Sequence, residues 1–502
     1  MKKFLLGLSA MMPLAAHAAT IDGASLSPMW GIPFGALLLS IAVFPLVAPG
    51  FWHRHFGKVA ACWALAFIVP FGWAYGASDA IGVIVHALIA EYIPFIALLA
   101  ALYTVAGGIC LHGKLPGGPV LNTAILALGA LLASLMGTTG AAMLLIRPLL
   151  RANEGRKNVV HVVVFFIFIV ANVGGSLTPL GDPPLFLGFL KGVGFLWTTQ
   201  HLLLPMLLVC ALLLMLFYGL DVYLYRRHDA HLLRTEANAQ QSSVRQTDPV
   251  VPSLARAEGS AASDAPGQTM DRAPSSVAAL WLDGKRNFWL LAAVIALVLM
   301  SGFWRPGVQF DVLGTPLTLQ DALRDGLLFV VLLISLKITP ASARKGNQFD
   351  WGPILEVAKL FAAIFVAIAP VITILSAGAK GAFAPLLAMV TDSHGQPINA
   401  VYFWATGILS GFLDNAPTYL VFFNTAGGDA ATLMTQGVVT LTAISAGAVF
   451  MGGLSYIGNA PNFMVKAIAE ERGVAMPSFF GYMLWSVPIL LPVFALVSWI
   501  FF

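Results

Sequence analysis

The sequence predicts an all-α polytopic membrane protein: an inverted-topology repeat of about ten transmembrane helices, two re-entrant hairpins and two broken helices. Three observations lead there. Hydrophobic residues make up 59% of the 502 and charged residues 10%, against about 25% charged in a soluble domain, and mean hydropathy is +0.85. Several apolar runs reach the roughly 20 residues a membrane helix needs. Four segments combine such runs with glycine, proline and polar residues, and the interruptions recur at a constant spacing.

Residues 1–19, "MKKFLLGLSAMMPLAAHAA", join Lys2 and Lys3 to a short apolar stretch and Ala16-x-Ala18, the pattern of a signal peptide. An uncleaved first span is the alternative. Either way the basic start stays inside and residue 20 emerges outside. The first transmembrane repeat covers 20–226. Its spans near 31–49, 59–76 and 80–112 place His53, Arg54, Lys58 and Lys114 at the cytoplasmic face. Residues 119–150 have basic flanks on both sides, so a hairpin turning at Gly137-Thr138-Thr139 fits better than one crossing. A helix then runs outward from 158 and breaks in "ANVGGSLTPLGDPPLFLGF", residues 171–189. A span near 202–224 returns to Arg226 and Arg227.

Residues 227–285 are polar, poor in aromatics and rich in Ser, Ala and Pro. Such a segment buries too little apolar surface to fold and reads as a disordered cytoplasmic linker. The second repeat, 286–502, begins inside rather than outside. It holds spans near 287–303, 321–338 and 352–376, a hairpin over 400–425 entering from the outside, a helix near 434–457 broken at "GGLSYIGNAPN", and a span near 480–501.

The two halves share a ruler. Gly137 and Gly181 are 44 residues apart, as are Asp414 and Gly458. A shift of 277 carries Thr138 onto Asn415, Gly175 onto Gly452, Gly181 onto Gly458, Asp182 onto Asn459 and Pro184 onto Pro461. Opposite starting sides make this an inverted repeat, an arrangement common in secondary transporters, whose discontinuous helices meet near the midplane.

The breaks supply chemistry. Irregular backbone at membrane depth needs protein or a water-filled cavity to satisfy it. In "LGDPP" and "GNAPN", Asp182 and Asn459 suit N-caps ahead of prolines, and Asp414 or Asn415 does so before Pro417. Free carbonyls on one side of each break suit a hard cation such as sodium, and free N–H groups on the other favour an anion. A carboxylate at this depth costs about 2.5–3.5 kcal/mol, and such residues usually mark ion or proton pathways. If each hairpin tip meets the break of its own half, one site holds Thr138, Thr139, Gly181 and Asp182. The other holds Asp414, Asn415, Gly458 and Asn459. One carboxylate in each would exchange a cation for a proton.

Other polar groups read as structural. Glu356 and Lys359 are expected to pair at i, i+3, Arg147 to anchor at the interface, and His86, Glu91 and His161 to be solvated near span ends. Cys62, Cys110 and Cys210 lack metal-ligand spacing. The net charge of +4 follows loop topology and gives nucleic-acid binding no support. No catalytic dyad or pore ring stands out, so neither an enzyme nor a channel is expected. No cofactor is expected beyond transported or coupling sodium ions and protons. The partners expected are the lipid bilayer and a small inorganic cation or carboxylate.

"GGSLTPLGDPPLFLGF" with "SGFLDNAPTYLVF" resembles the ion transporter superfamily, which includes citrate and dicarboxylate carriers, arsenite permeases and D-type sodium/proton antiporters. The likeness spans nearly all of the chain except the signal region and linker. It implies Asp182, Asp414 and Asn415 as sodium-binding residues, a homodimer, elevator-like hairpin movement and a bacterial-type inner (cell) membrane. Gly137-Thr138-Thr139 and Asp414-Asn415-Ala416 depart from the Ser-Asn-Thr tips of dicarboxylate carriers. The two carboxylates therefore favour sodium/proton antiport, with cation-coupled citrate or dicarboxylate transport as the alternative.

Overall fold

The computed structural model describes residues 22–113, 115, 117–228 and 281–502. The expected signal peptide and residues 229–280 of the expected linker lie outside the described residues. Eight helices among those described are long and apolar enough to cross a membrane, and two shorter apolar ones lie at the expected breaks.

The first half opens with α1 (Ile32–Val47) and α2 (Pro49–Tyr75). The loop expected at His53–Lys58 is instead the start of α2. Pro49 supplies the fixed φ of a first helical turn, and nothing in "FWHRHFGK" breaks the helix it starts. The third span runs as α3 (Ala77–His86), a π-helical turn over Ala87–Tyr92, and α4 (Ile93–Ala106). A short strand, β1 (Cys110–His112), leads to the first hairpin, α5 (Pro119–Met136) and α6 (Thr138–Ala152). The reversal rests on Gly137, whose φ of 81° is a backbone state few side chains tolerate. Next comes α7 (Val160–Ile169), a 3-10 turn over Val173–Ser176 and α8 (Pro183–Leu190). The long α9 (Phe195–His228) closes this half.

The end of the expected linker is ordered: β2 (Trp281–Asp283) pairs antiparallel with β1. It leads to α10 (Arg286–Phe303), a hairpin of β3 (Gln309–Val312) and β4 (Thr315–Thr318), and α11 (Leu319–Ile338). Though expected as a span, α11 is not one of the eight, because Asp321, Arg324, Asp325 and Lys337 punctuate it. The short α12 (Ala341–Gly346) precedes α13 (Gly352–Ser376) and α14 (Ala384–Val390). The second hairpin is α15 (Asn399–Phe412) and α16 (Asn415–Thr425), followed by α17 (Ala430–Thr435). The second broken helix is α18 (Val438–Phe450), a 3-10 turn over Met451–Leu454 and α19 (Ala460–Glu471). The chain ends in α20 (Phe479–Phe501).

Burial sorts these helices. Every residue from His161 to Val170 and from Thr440 to Leu454 is buried, whereas α2 and α20 show large apolar side chains outward. A helix apolar all round belongs in a core, so the two broken helices form the interior and the breaks lie there with them.

Several polar groups differ from expectation. Glu356 and Lys359 form no ion pair among the described residues. Lys359 instead lies over the Phe56 ring at 5.4 Å and packs on Gly57, because α13 runs against α2. Arg147 is not an interfacial anchor but is 5% exposed and bonded to Gln348. His161 is 1% exposed against Asp221, and Glu91 is buried beside Lys191. Lys359, Arg147, His161 and Glu91 all find partners distant in sequence.

Candidate functional site

The first break is built by close approach of backbone. A methyl group on Gly181 would stand 2.0 Å from the Gly175 carbonyl oxygen, so only glycine permits this contact. Thr178 Oγ1 donates to the Ser134 carbonyl at 2.5 Å and accepts from Leu180 N at 3.2 Å. The backbone N–H of Thr138 donates to the Gly181 carbonyl at 2.9 Å, which seals the hairpin tip onto the break.

The second break repeats the two Thr178 bonds 277 residues later. Ser455 Oγ donates to the Gly411 carbonyl at 2.5 Å and accepts from Ile457 N at 3.2 Å. A methyl on Gly458 would lie 2.5 Å from the Gly452 carbonyl oxygen and 2.8 Å from that of Ser410. Gly458 thus holds its break against the second hairpin.

The two breaks meet at Asp182, which is 2% exposed. Thr138 Oγ1 donates to its Oδ1 at 3.2 Å, Asn459 Nδ2 to the same oxygen at 3.0 Å, and Asn415 Nδ2 to its Oδ2 at 2.6 Å. The expectation of two separate own-half sites is therefore corrected. Asn415 and Asn459 cross to the carboxylate of the first half, and one cluster forms. Thr139 is half-buried beside Thr138 and is not among the donors to Asp182.

The two aspartates behave differently. Asp414 caps α16, its Oδ1 accepting from Ala416 N at 3.0 Å. Asp182 occupies the corresponding position of α8, but its side chain makes no cap bond there and turns to the three donors. A residue whose only task was capping would face its own helix.

Two residues that the sequence reading passed over complete the joint. Asn172 Nδ2 donates to Ile167 O at 2.7 Å and to Asn462 Oδ1 at 2.8 Å. Asn462 Nδ2 donates at 2.9 Å to both Gly452 O and Ser455 O. Asn459 also reaches Ala171 O at 3.1 Å. Both residues stand inside the quoted break segments, and buried amides beside free carbonyls are the signal that could have found them.

Four helices begin at this cluster. Thr138 and Asn415 are the first residues of α6 and α16, and Asp182 and Asn459 are the N-cap residues of α8 and α19. Each helix start carries N–H groups without intrahelical partners and a partial positive charge of roughly half a unit. Negative charge is favoured where such ends gather, and all three side-chain donors to Asp182 are neutral.

Interior helix breaks, two hairpins and a buried polar centre place the chain among polytopic helical membrane proteins of the transport class. Residues 23–502 match the family described as "Putative citrate transport", and the chain belongs to that family. No curated protein matches the chain.

Proposed function

We propose that the protein is a secondary transporter for citrate or a related small carboxylate, moved together with a cation. The observation that carries this reading is the gathering of four helix N-termini around Asp182, in a chain of the citrate-transport family. Those N–H ends, with the amides of Asn415 and Asn459, form a donor set suited to carboxylate oxygens. Asp182 occupies that set itself. A carboxylate substrate would meet its negative charge unless a proton or sodium ion neutralised it first, and this order of events couples substrate to ion. Asp182, the hydroxyls of Thr138 and Thr139 and the Gly181 and Gly458 carbonyls supply hard oxygen ligands for sodium. Asp414 orders the second tip.

The proposal includes an inverted repeat, supported by the identical bonds at Thr178 and Ser455. Such symmetry gives the two hairpins equivalent roles on opposite sides of the membrane. A homodimer in a bacterial-type inner membrane, with residues 227–285 cytoplasmic, belongs to the same reading.

Reconstitution tests it. Purified protein in liposomes should accumulate radiolabelled citrate when an inward sodium or proton gradient is imposed, and Asp182→Asn should abolish that uptake. Gradient-independent behaviour, or no uptake across a panel of di- and tricarboxylates, would overturn it. Sodium/proton exchange is the second reading, favoured by the three neutral donors around the Asp182 carboxylate. It predicts that sodium collapses a pH gradient in everted vesicles without any carboxylate.

A further inference from the structure

We propose that Arg147, with Arg151 one helical turn away, forms a second anion site on the route to the Asp182 centre, taking the carboxylate group of the transported substrate. The identity of the anion rests on the carboxylate reading above. The site itself rests on separate observations.

Helix α6 starts at the Asp182 cluster, and Arg147 follows Thr138 by nine residues, about 14 Å along the axis at 1.5 Å per residue. Arg147 is 5% exposed, yet neither it nor Arg151 makes an ion pair among the described residues. The carboxylate of nearby Glu154 is held by Arg472 at 3.5 Å. No carboxylate touches the Arg147 guanidinium: Glu471 acts on it only from beyond ion-pair distance and is opposed by Arg472. Burying a cation without a directly paired charge is costly, and here the hydrogen bonds are incomplete as well. Nη1 of Arg147 and Nε of Arg151 are buried without partners.

What Arg147 does bind is informative. Its Nε and Nη2 both donate to one atom, Gln348 Oε1, at 3.2 and 2.9 Å. That edge of the guanidinium is the fork that matches a carboxylate with two parallel bonds. The Gln348 amide offers it a single oxygen without charge. Gln348 is exposed, whereas Arg147 beneath it is buried, so a solute can reach the covering residue. Its φ of 48° is unusual for a residue other than glycine. Arg151 Nη2 is fixed by the Leu111 carbonyl at 2.6 Å, leaving Nε as a further donor on the same helix face. An arriving carboxylate would displace the Gln348 amide, take the fork and bring a negative charge into direct contact with it.

The test uses citrate as probe and the full chain in phosphatidylcholine vesicles, which lack anionic headgroups. In a background with the three native cysteines replaced by alanine, Gln348→Cys is labelled with a maleimide. Citrate should slow labelling where chloride of equal ionic strength does not, and Arg147→Gln should remove that protection. In uptake assays Arg147→Gln should raise KM about tenfold or more, the loss of one charged hydrogen-bond pair, while leaving the maximal rate within about twofold. Arg147→Lys, which keeps charge without the fork, should fall between. Absence of protection, protection that needs anionic phospholipid, or a lower maximal rate at unchanged KM would overturn the proposal. Protection without any citrate uptake would instead overturn the transport reading and leave this site standing.

Discussion

Asp182 and Asn459 stand 277 residues apart, occupy matching positions in the two broken helices, and are joined by a hydrogen bond of 3.0 Å. Thr138 and Asn415, matched by the same shift, both donate to the same carboxylate. The centre is therefore nearly symmetric in position and asymmetric in charge. Exchanging the two side chains moves the charge across that symmetry while conserving atoms. Asp182→Asn should lower ion-driven uptake by 100-fold or more, on the order of the 2.7 kcal/mol that two factors of ten require. The double variant Asp182→Asn with Asn459→Asp should recover part of it. Uptake in proteoliposomes measures both. Wild-type rates in the single variant would remove the carboxylate from the mechanism.

The glycine contacts that shape both breaks give a prediction about folding. A methyl on Gly181 would have to share space with the Gly175 carbonyl, and one on Gly458 with the carbonyls of Gly452 and Ser410. These are backbone atoms, which cannot rotate away as a side-chain end could. Overpacking costs typically 1–3 kcal/mol and occasionally more. Gly181→Ala and Gly458→Ala should each lower the thermal midpoint of the detergent-purified protein and impair uptake. Gly35→Ala, inside α1 with nothing within 4 Å of the added carbon, serves as control and should lower neither, since alanine favours the helix over glycine.

A third prediction concerns the far end of α8. Lys191 Nζ lies 2.5 Å from Glu91 Oε1, which ties this short helix to the π-helical turn of the third span. Glu91 is the more deeply buried partner, and its second oxygen is buried without a hydrogen bond. Lys191→Met leaves that carboxylate alone and should destabilise more than Glu91→Gln, which leaves a partly exposed ammonium free to find water. Removing one partner of a buried pair costs roughly 3–5 kcal/mol, less here because Lys191 is 27% exposed. Thermal midpoints of both variants and the double variant check the order.

What was legible in the sequence was local. Glycine at positive φ in the hairpin tip, proline after a capping residue and basic residues beside apolar runs act within a few positions. The hairpins accordingly fall at α5–α6 and α15–α16 with nearly the expected limits. Partnerships between halves were not legible. Equal spacing of 44 residues favours own-half pairing, and only packing shows Asn415 and Asn459 turning toward Asp182. Arg147 failed for the same reason, since Gln348 is 201 residues away. The start of α2 failed for another: basic residues report the side of the membrane, not where a helix begins.

The same distance hides the network that holds the first hairpin. Asp221 on α9 is fully buried and accepts from Arg156 Nη2 at 2.5 Å and Asn122 Nδ2 at 2.9 Å, and its Oδ1 lies 2.9 Å from His161 Nε2. Asn153 joins it, exchanging hydrogen bonds with Asn122 at 2.8 and 3.0 Å and accepting from Arg156 Nη1 at 2.9 Å. Asn122 lies in the first turn of α5 and Asn153 directly follows α6, so one carboxylate secures both feet of the hairpin whose tip carries Thr138. Removing it takes the carboxylate away from Arg156 and the acceptor away from Asn122 in a buried site. Asp221→Ala should therefore cost roughly 3–5 kcal/mol, whereas Asp221→Asn, which keeps an acceptor for Asn122 but loses the charge, should cost less. Thermal unfolding followed by tryptophan fluorescence gives the ranking. Hydrogen exchange should show protection lost first in α5 and α6 of the alanine variant, and uniform loss across the chain would rule out this anchoring role.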